Sequence, residues 1–302
     1  MDFWSAAFTA LVILGVICAI WGIGIERYLF TIRVEPQTIA ILKPGSKSIR
    51  VLHISDIHMA PWQKRKQRFI AGLANLDVDL VIDTGDNLGH SRGISPVLDA
   101  LGGLLSKPGV FVNGSNDYYA PKPRNPFTYL FHPSKRESEV QLDTDQLLEG
   151  FESAGWLNLN NRGDALAVNG SKLRFVGVDD PHENLDDISS IVLNAKKQST
   201  DEILIGVAHA PYLKIINAFA AADVGVLFAG HTHGGQVCIP GYGALVTNCD
   251  LPTKAAKGLS VFSHSGKQIW LNVCAGLGHS IFAPVRFACR PEVRIIELVA
   301  AD

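Results

Sequence analysis

The 302-residue sequence predicts an α/β domain carried behind a single membrane-crossing helix. Three observations predict it. Residues 6–25 are apolar or small throughout. Short apolar runs then alternate with helical stretches, in the order strand, helix, strand, helix, strand, which is the signature of parallel βαβ units. Nearly every apolar run is followed at once by a metal-capable side chain, and in open α/β sheets the carboxyl ends of strands border the ligand crevice.

The leading run has about the 20 residues that a helix needs to cross hydrocarbon. Trp4 precedes it and Trp21 and Tyr28 stand near its far end, as interfacial aromatics do. A cleaved signal peptide fits less well, because Asp2 is acidic, no basic segment leads and no Ala-x-Ala site follows. Residues 1–30 are therefore read as a membrane anchor and the protein as a single-pass protein of the cell membrane. Arg27, Arg33, Lys43, Lys47 and Arg50 all follow the helix. By the positive-inside rule they favour a cytoplasmic domain, although large domains translocate despite such charges, so the extracytoplasmic face stays open. Residues 31–48, with Pro36, Pro44 and Gly45, read as a polar connector, and 49–302 as the domain proper.

Composition narrows the function. With 47% hydrophobic residues and a formal net charge of -2, the chain can bury a full core and shows no basic face for nucleic acid. The 5 cysteines (Cys18, Cys238, Cys249, Cys274 and Cys289) are odd in number and form no Cys-x-x-Cys pair. A disulfide framework and a thiolate zinc site are both disfavoured. Lys64, Arg65, Lys66 and Arg68 read as a solvated helix face, with attraction to anionic lipid or phosphate as the sharper alternative.

Strand candidates are 49–55, 79–84 and 109–113, with helices near 62–75 and 94–105 between them; further strands are expected near 172–178, 202–208, 224–229, 269–274 and 292–299. The Pro- and aromatic-rich stretch 118–142 reads as a pocket-lining insertion. At the strand ends stand Asp56, Asp86, Asn116, His209 and His231, which the topology would bring together. Asp56-x-His58, Gly85-Asp86 or His209 alone would be ordinary turns or a core histidine. Gly230-His231-Thr232-His233-Gly234-Gly235-Gln236 is different, since two imidazoles framed by glycines after a strand imply close approach to something. Oxygen and imidazole donors without thiolate suit Mn, Fe or Zn. A carboxylate bridging two such ions about 3.5–4 Å apart lets them acidify a water and clamp phosphoryl oxygens.

In this order Asp56-x-His58, Gly85-Asp86, Gly114-Ser115-Asn116-Asp117, His209 and Gly230-His231-Thr232-His233 resemble the calcineurin-like metallophosphoesterase superfamily. The resemblance runs from about residue 49 to 300. The Gly-Gly-Gln extension, the closing Pro284-Val285-Arg286-Phe287 and Arg290-Pro291-Glu292, and the leading helix are similar to its membrane-tethered bacterial branch. The resemblance implies two facing mixed β-sheets flanked by helices, an αββα sandwich. It implies two divalent metal ions: Asp56, His58, Asp86 and His233 on the first, and Asp86, Asn116, His209 and His231 on the second. It also implies hydrolysis of a phosphodiester, phosphomonoester or pyrophosphate bond. The substrate would be a phosphorylated small molecule or a lipid-linked phosphate reached at the membrane.

The third motif departs from the family pattern Gly-Asn-His-Asp/Glu. Ser115 occupies the ligand position and Asn116 the position of the customary proton-donating His. Either Asn116 reaches the second ion through a shifted loop, or Ser115 ligates; a carboxamide oxygen is the better neutral ligand. His90, His132, His182 and His279 are replacement acids to be weighed, and Asp179-Asp180-Pro181-His182 reads as a pocket lip or a plain Asp-Pro turn. A non-catalytic metal-binding scaffold of the same fold is the alternative function.

Overall fold

The computed structural model describes residues 2–123, 140–196 and 202–301. The chain begins with helix α1 (Phe3–Ala19), which continues as a wider π turn over Ile20–Ile25 and a 3-10 turn over Glu26–Tyr28. The whole run Phe3–Tyr28 is long and apolar enough to cross a membrane, and almost none of it is buried against the rest of the chain.

Strands β1 (Thr31–Val34), β2 (Ile39–Leu42) and β3 (Ile49–Ile54) follow, then α2 (Lys64–Gly72), β4 (Leu80–Asp83), α3 (Ile94–Leu101) and β5 (Gly109–Phe111). Next come α4 (Ser115–Tyr118), α5 (Thr144–Glu152), β6 (Leu157–Asn158), β7 (Gly163–Val168), β8 (Ser171–Gly177) and α6 (Ile188–Asn194). The chain continues through β9 (Ile203–Val207), α7 (Leu213–Ala221), β10 (Val226–Ala229), β11 (Cys238–Ile239) and β12 (Gly243–Ala244). It closes with β13 (Gly258–His264), β14 (Lys267–Val273) and β15 (Glu292–Ala300).

Two sheets result. A 7-stranded sheet runs β1-β15-β3-β4-β5-β6, with β2 also on β15, and a 6-stranded sheet runs β13-β14-β10-β9-β8-β7. Both are mixed: β3, β4 and β5 are parallel while β15 is antiparallel to β3. In the second sheet β8, β9 and β10 are parallel and β13 is antiparallel to β14.

The layering follows from side-chain alternation along each strand. Val51, Leu80, Ile82 and Val110 point to one side of the first sheet and meet Phe175, Ile205, Val207 and Phe228 of the second. Their neighbours Leu52, Ile54, Val81 and Phe111 point the other way, onto Ile70, Val97, Leu101 and Phe151 of α2, α3 and α5. On the far side of the second sheet, Leu204, Leu227 and Leu271 pack on Ile215, Ile216 and Phe219 of α7. The sequence therefore folds as the expected αββα sandwich, with both β-sheet faces covered and the strands correspondingly apolar.

The stretch 31–48 differs from the connector expected of it. It supplies two strands, β1 and β2, both paired parallel to β15. Ile39 and Leu42 are fully buried, and Thr31 donates its hydroxyl to the Pro291 carbonyl. Four-residue strands are too short to show periodicity, and their partner β15 lies at the far end of the chain.

Candidate metal centre

The candidate ligands sit where strands end. Because β3, β4 and β5 run parallel, Asp56 and Asp86 emerge side by side with Asn116 beyond them; β9 and β10 bring His209 beside the 231–233 turn. The backbone there is bent into a conformation that L side chains avoid. Asp56 (φ 47°), His58 (φ 44°), Asp86 (φ 57°), His231 (φ 68°) and His233 (φ 50°) are all left-handed, at a typical cost of about 1–3 kcal/mol each. Such strain persists only where surrounding structure holds it, and it clusters at functional sites. Close packing adds to it. A Cβ on Gly114 would overlap Asp86 Oδ1, and one on Gly230 would overlap Ser55 Oγ, so both loops require glycine to reach the cluster.

Asp56, His58, Asp86 and His233 each offer a donor atom within 4.8 Å of the others. His58 Nε2 lies 3.3 Å from Asp86 Oδ2, and His233 Nε2 lies 3.6 Å from Asp56 Oδ1. On the opposite side His209 Nε2 is 3.6 Å from Asp86 Oδ1. Asp86 thus has one oxygen toward His58 and the other toward His209. His231 packs edge-on against His209, ring centroids 5.2 Å apart. Asn116 meets the same carboxylate, its backbone N–H donating to Asp86 Oδ1 (2.8 Å) and its carboxamide nitrogen to Oδ2 (2.7 Å). All seven expected residues are therefore in one neighbourhood, and in the 114–117 loop it is Asn116 that hydrogen-bonds to the Asp86 carboxylate.

These residues fit divalent cations. Asp56 Oδ1, His58 Nε2 and His209 Nε2 are buried and have no hydrogen-bond partner, although a buried unpaired polar atom costs about 1–3 kcal/mol. The other polar atoms of Asp56 and His209 are tied down. Asp56 Oδ2 accepts from Ser55 Oγ and the His231 N–H. His209 Nδ1 donates to the Thr84 carbonyl (2.7 Å), which turns Nε2 toward Asp86. His231 Nε2 donates to the Asn248 carbonyl (3.2 Å), which frees Nδ1. Burial, with His182 and His209 beside it, holds His231 well below the usual imidazole range; burial, His58 and Arg286 do the same for His233. Both are then neutral, the ligating form. Burial opposes ionisation of Asp86, but the neighbouring His209 and His58 hold its carboxyl well below the usual range.

A sequence model described as calcineurin-like phosphoesterase matches residues 49–235. The chain belongs to that family. The family is dimetal-dependent. Among its relatives are a bovine transmembrane protein with a metallophosphoesterase domain, 25% identical over 210 residues, and a metallophosphoesterase of Aquifex aeolicus, 25% identical over 285. The alignment takes in 65% of this chain and 43% of the bovine protein, against 91% and 94% for the Aquifex one. A 5'-nucleotidase precursor from Thermus thermophilus superposes with a TM-score of 0.48 at 11% identity, over 84% of this chain and 55% of that one.

Several groups brace the cluster in ways that the sequence did not disclose, although Asp117 and Arg286 stand within motifs quoted above. The Asp117 carboxylate accepts from the backbone N–H groups of Asp86, Asn87, Leu88 and Gly114, lashing the Asp86 loop to the Asn116 loop. Lys66, expected on a solvated face, is turned inward instead: its Nζ donates to the carbonyls of Ile57 (2.6 Å) and His58 (3.2 Å). Burial, with Arg286 and Arg27 nearby, pushes its pKa down to about 7. Arg286 is fully buried and donates to the carbonyls of His233, Ala275 and Gly278. A guanidinium fork suits such convergent carbonyls.

The histidines weighed as acids separate by position. His182 lies over His231, ring centroids 4.6 Å apart, and its Nδ1 is 2.9 Å from the Tyr212 hydroxyl. His90 packs on Trp62 and His279 is bonded to the Ser280 carbonyl, while His132 lies outside the described residues, as does most of the 118–142 insertion. Asp179 accepts from the Tyr118 hydroxyl, and Asp180 is buried with Oδ1 on the His182 N–H and Oδ2 unpartnered. The Asp-Pro segment is thus a wall beside the second half of the site.

Proposed function

We propose that the protein is a two-metal phosphoester hydrolase, with Asp56, His58, Asp86 and His233 holding one ion and Asp86, Asn116, His209 and His231 the other. The observation that carries this reading is the set of buried, unpartnered donors, Asp56 Oδ1, His58 Nε2 and His209 Nε2, arranged about Asp86. Divalent ions, Mn, Fe or Zn, would supply Lewis acidity toward the phosphoryl oxygens and lower the pKa of water. The chain's own residues do the rest. Asp86, with one oxygen toward each side, is the group to be shared. Thr84 and Asn248 fix the tautomers of His209 and His231. A turn of the Asn116 carboxamide about its last torsion exchanges nitrogen for oxygen beside Asp86, so that side chain reaches whatever Asp86 holds.

Asn116 stands where a proton donor is customary, and a neutral amide cannot protonate a leaving group as imidazolium does. This supports substrates whose leaving groups need little protonation, such as pyrophosphates or activated diesters. The apolar N-terminal helix supports residues 1–30 as an anchor and a phosphorylated small molecule or lipid-linked phosphate as substrate. The basic residues that follow favour a cytoplasmic site. The one feature favouring a non-catalytic scaffold is the same Asn116. Purified protein with Mn²⁺ is expected to hydrolyse a nitrophenyl phosphodiester and His231→Ala to abolish turnover; undiminished turnover in that variant would sink the assignment.

A further inference from the structure

A second polar site lies at the other end of the 231–289 loops, where the anchor helix meets the domain. Tyr28 is the last residue of the apolar helix, and just beyond it a cleft of about 480 Å³ opens between the segment Tyr28–Thr31 and α2. Arg65 and Arg68 of α2 and Arg290 line it. All three are exposed, and among the described residues none pairs with a carboxylate. The nearby acid is already engaged: Glu26 accepts from the backbone N–H groups of Ala288 and Cys289 and from Trp21 Nε1. The floor is apolar, formed by Phe30 stacked on Phe69 with centroids 5.2 Å apart. Arg27 and Arg65 lie over the Tyr28 ring, 4.5 and 5.7 Å from its centroid, so the tyrosine gathers positive charge at the mouth.

We infer that this cleft binds the phosphate of an anionic phospholipid headgroup. Guanidinium forks match phosphate oxygens bidentately. A phosphate group alone would use the arginines, but the aromatic floor and the place at the end of a membrane-crossing helix fit a phosphate that carries a glycerol and acyl chains. Basic residues at a membrane surface gain about 1 kcal/mol each from anionic lipid, or about fivefold in affinity. The site is separate from the metal cluster, and the inference does not depend on the proposed hydrolysis. It nevertheless touches the cluster's supports. On α2, Lys66 faces inward to the Ile57 and His58 carbonyls, while Arg65 and Arg68 face the cleft. Arg290 follows Cys289, whose thiol lies 3.4 Å from the His233 carbonyl.

The test uses the full-length protein in detergent, titrated with phosphatidylglycerol, phosphatidylcholine or inorganic phosphate and followed by native mass spectrometry. One phosphatidylglycerol per chain is expected, retained at least about tenfold more tightly than phosphatidylcholine. Arg65→Gln/Arg68→Gln is expected to weaken it about 25-fold with an unchanged melting temperature. Arg65→Lys/Arg68→Lys, which leaves the exposed helix face charged, should weaken it less and serves if the first variant is unstable. Equal retention of the two lipids, or no change in either variant, overturns the inference. Displacement of phosphatidylglycerol by equimolar inorganic phosphate overturns the lipid as its source.

Discussion

The two halves of the proposed metal centre are built differently. Asp56, His58, Asp86 and His233 already crowd within 4.8 Å, on turns held in left-handed backbone by glycine contacts and by Lys66 and Arg286 beneath them. Asn116, His209 and His231 are brought near the same carboxylate and held by hydrogen bonds, Asn116 to Asp86 itself, His209 to Thr84 and His231 to Asn248. The first half is preorganised mainly by backbone, while the second, His231 apart, relies on hydrogen bonds to side chains and carbonyls. A site of this kind should hold its first ion tightly and its second more weakly.

Asp86 is common to both halves, so Asp86→Ala breaks the comparison most completely. It is expected to remove bound metal from both sites and lower turnover by about 10³-fold or more, measured by metal analysis and steady-state kinetics. Asn116→Ala touches only the second half. It should cost about 10–100-fold in activity or in second-ion affinity, whereas Ser115→Ala should change either by less than about threefold. A larger loss in Ser115→Ala than in Asn116→Ala would mean that the 114–117 loop ligates through Ser115. Asp117→Asn places an N–H₂ among four backbone donors and loosens the bond between the halves. A loss of about tenfold in activity is expected, restored in part by raising the Mn²⁺ concentration.

How much of this could be read in the sequence depends on how local the signal is. The strand ends at Asp56, Asp86, His209 and His231 were legible because each ligand directly follows an apolar run. The sandwich was legible through the order of those runs. The bracing roles of Asp117, Lys66 and Arg286 were not, because their partners are backbone groups of loops distant in sequence: Asp117 reaches back 31 residues to Asp86 and Arg286 reaches 53 to His233. A basic run also gives no sign that its third member, Lys66, turns inward while Arg65 and Arg68 stay outside. Strands β1 and β2 escaped for the same reason, since only β15 makes them strands.

The smallest expected effect lies under the first half of the site, in the core between the sheets. His53 is buried between Thr84 and Asn272, and burial, with Arg294 nearby, pushes its pKa down to about 3. Its unfolded value is about 6.5. Between those values the unfolded chain binds the extra proton, so this contribution to stability is present above about pH 6.5 and is lost progressively as the pH falls toward about 3. Thermal unfolding should show the melting temperature falling between about pH 7 and pH 4, and falling less in His53→Gln.

If two ions share Asp86, each half of the site should hold one of them. Metal analysis of the purified full-length protein, beside His231→Ala, tests it most directly. Close to two divalent ions per chain are expected in the native protein and close to one in His231→Ala, with the first site intact. A native content of one or none, or two ions retained in the variant, would contradict it.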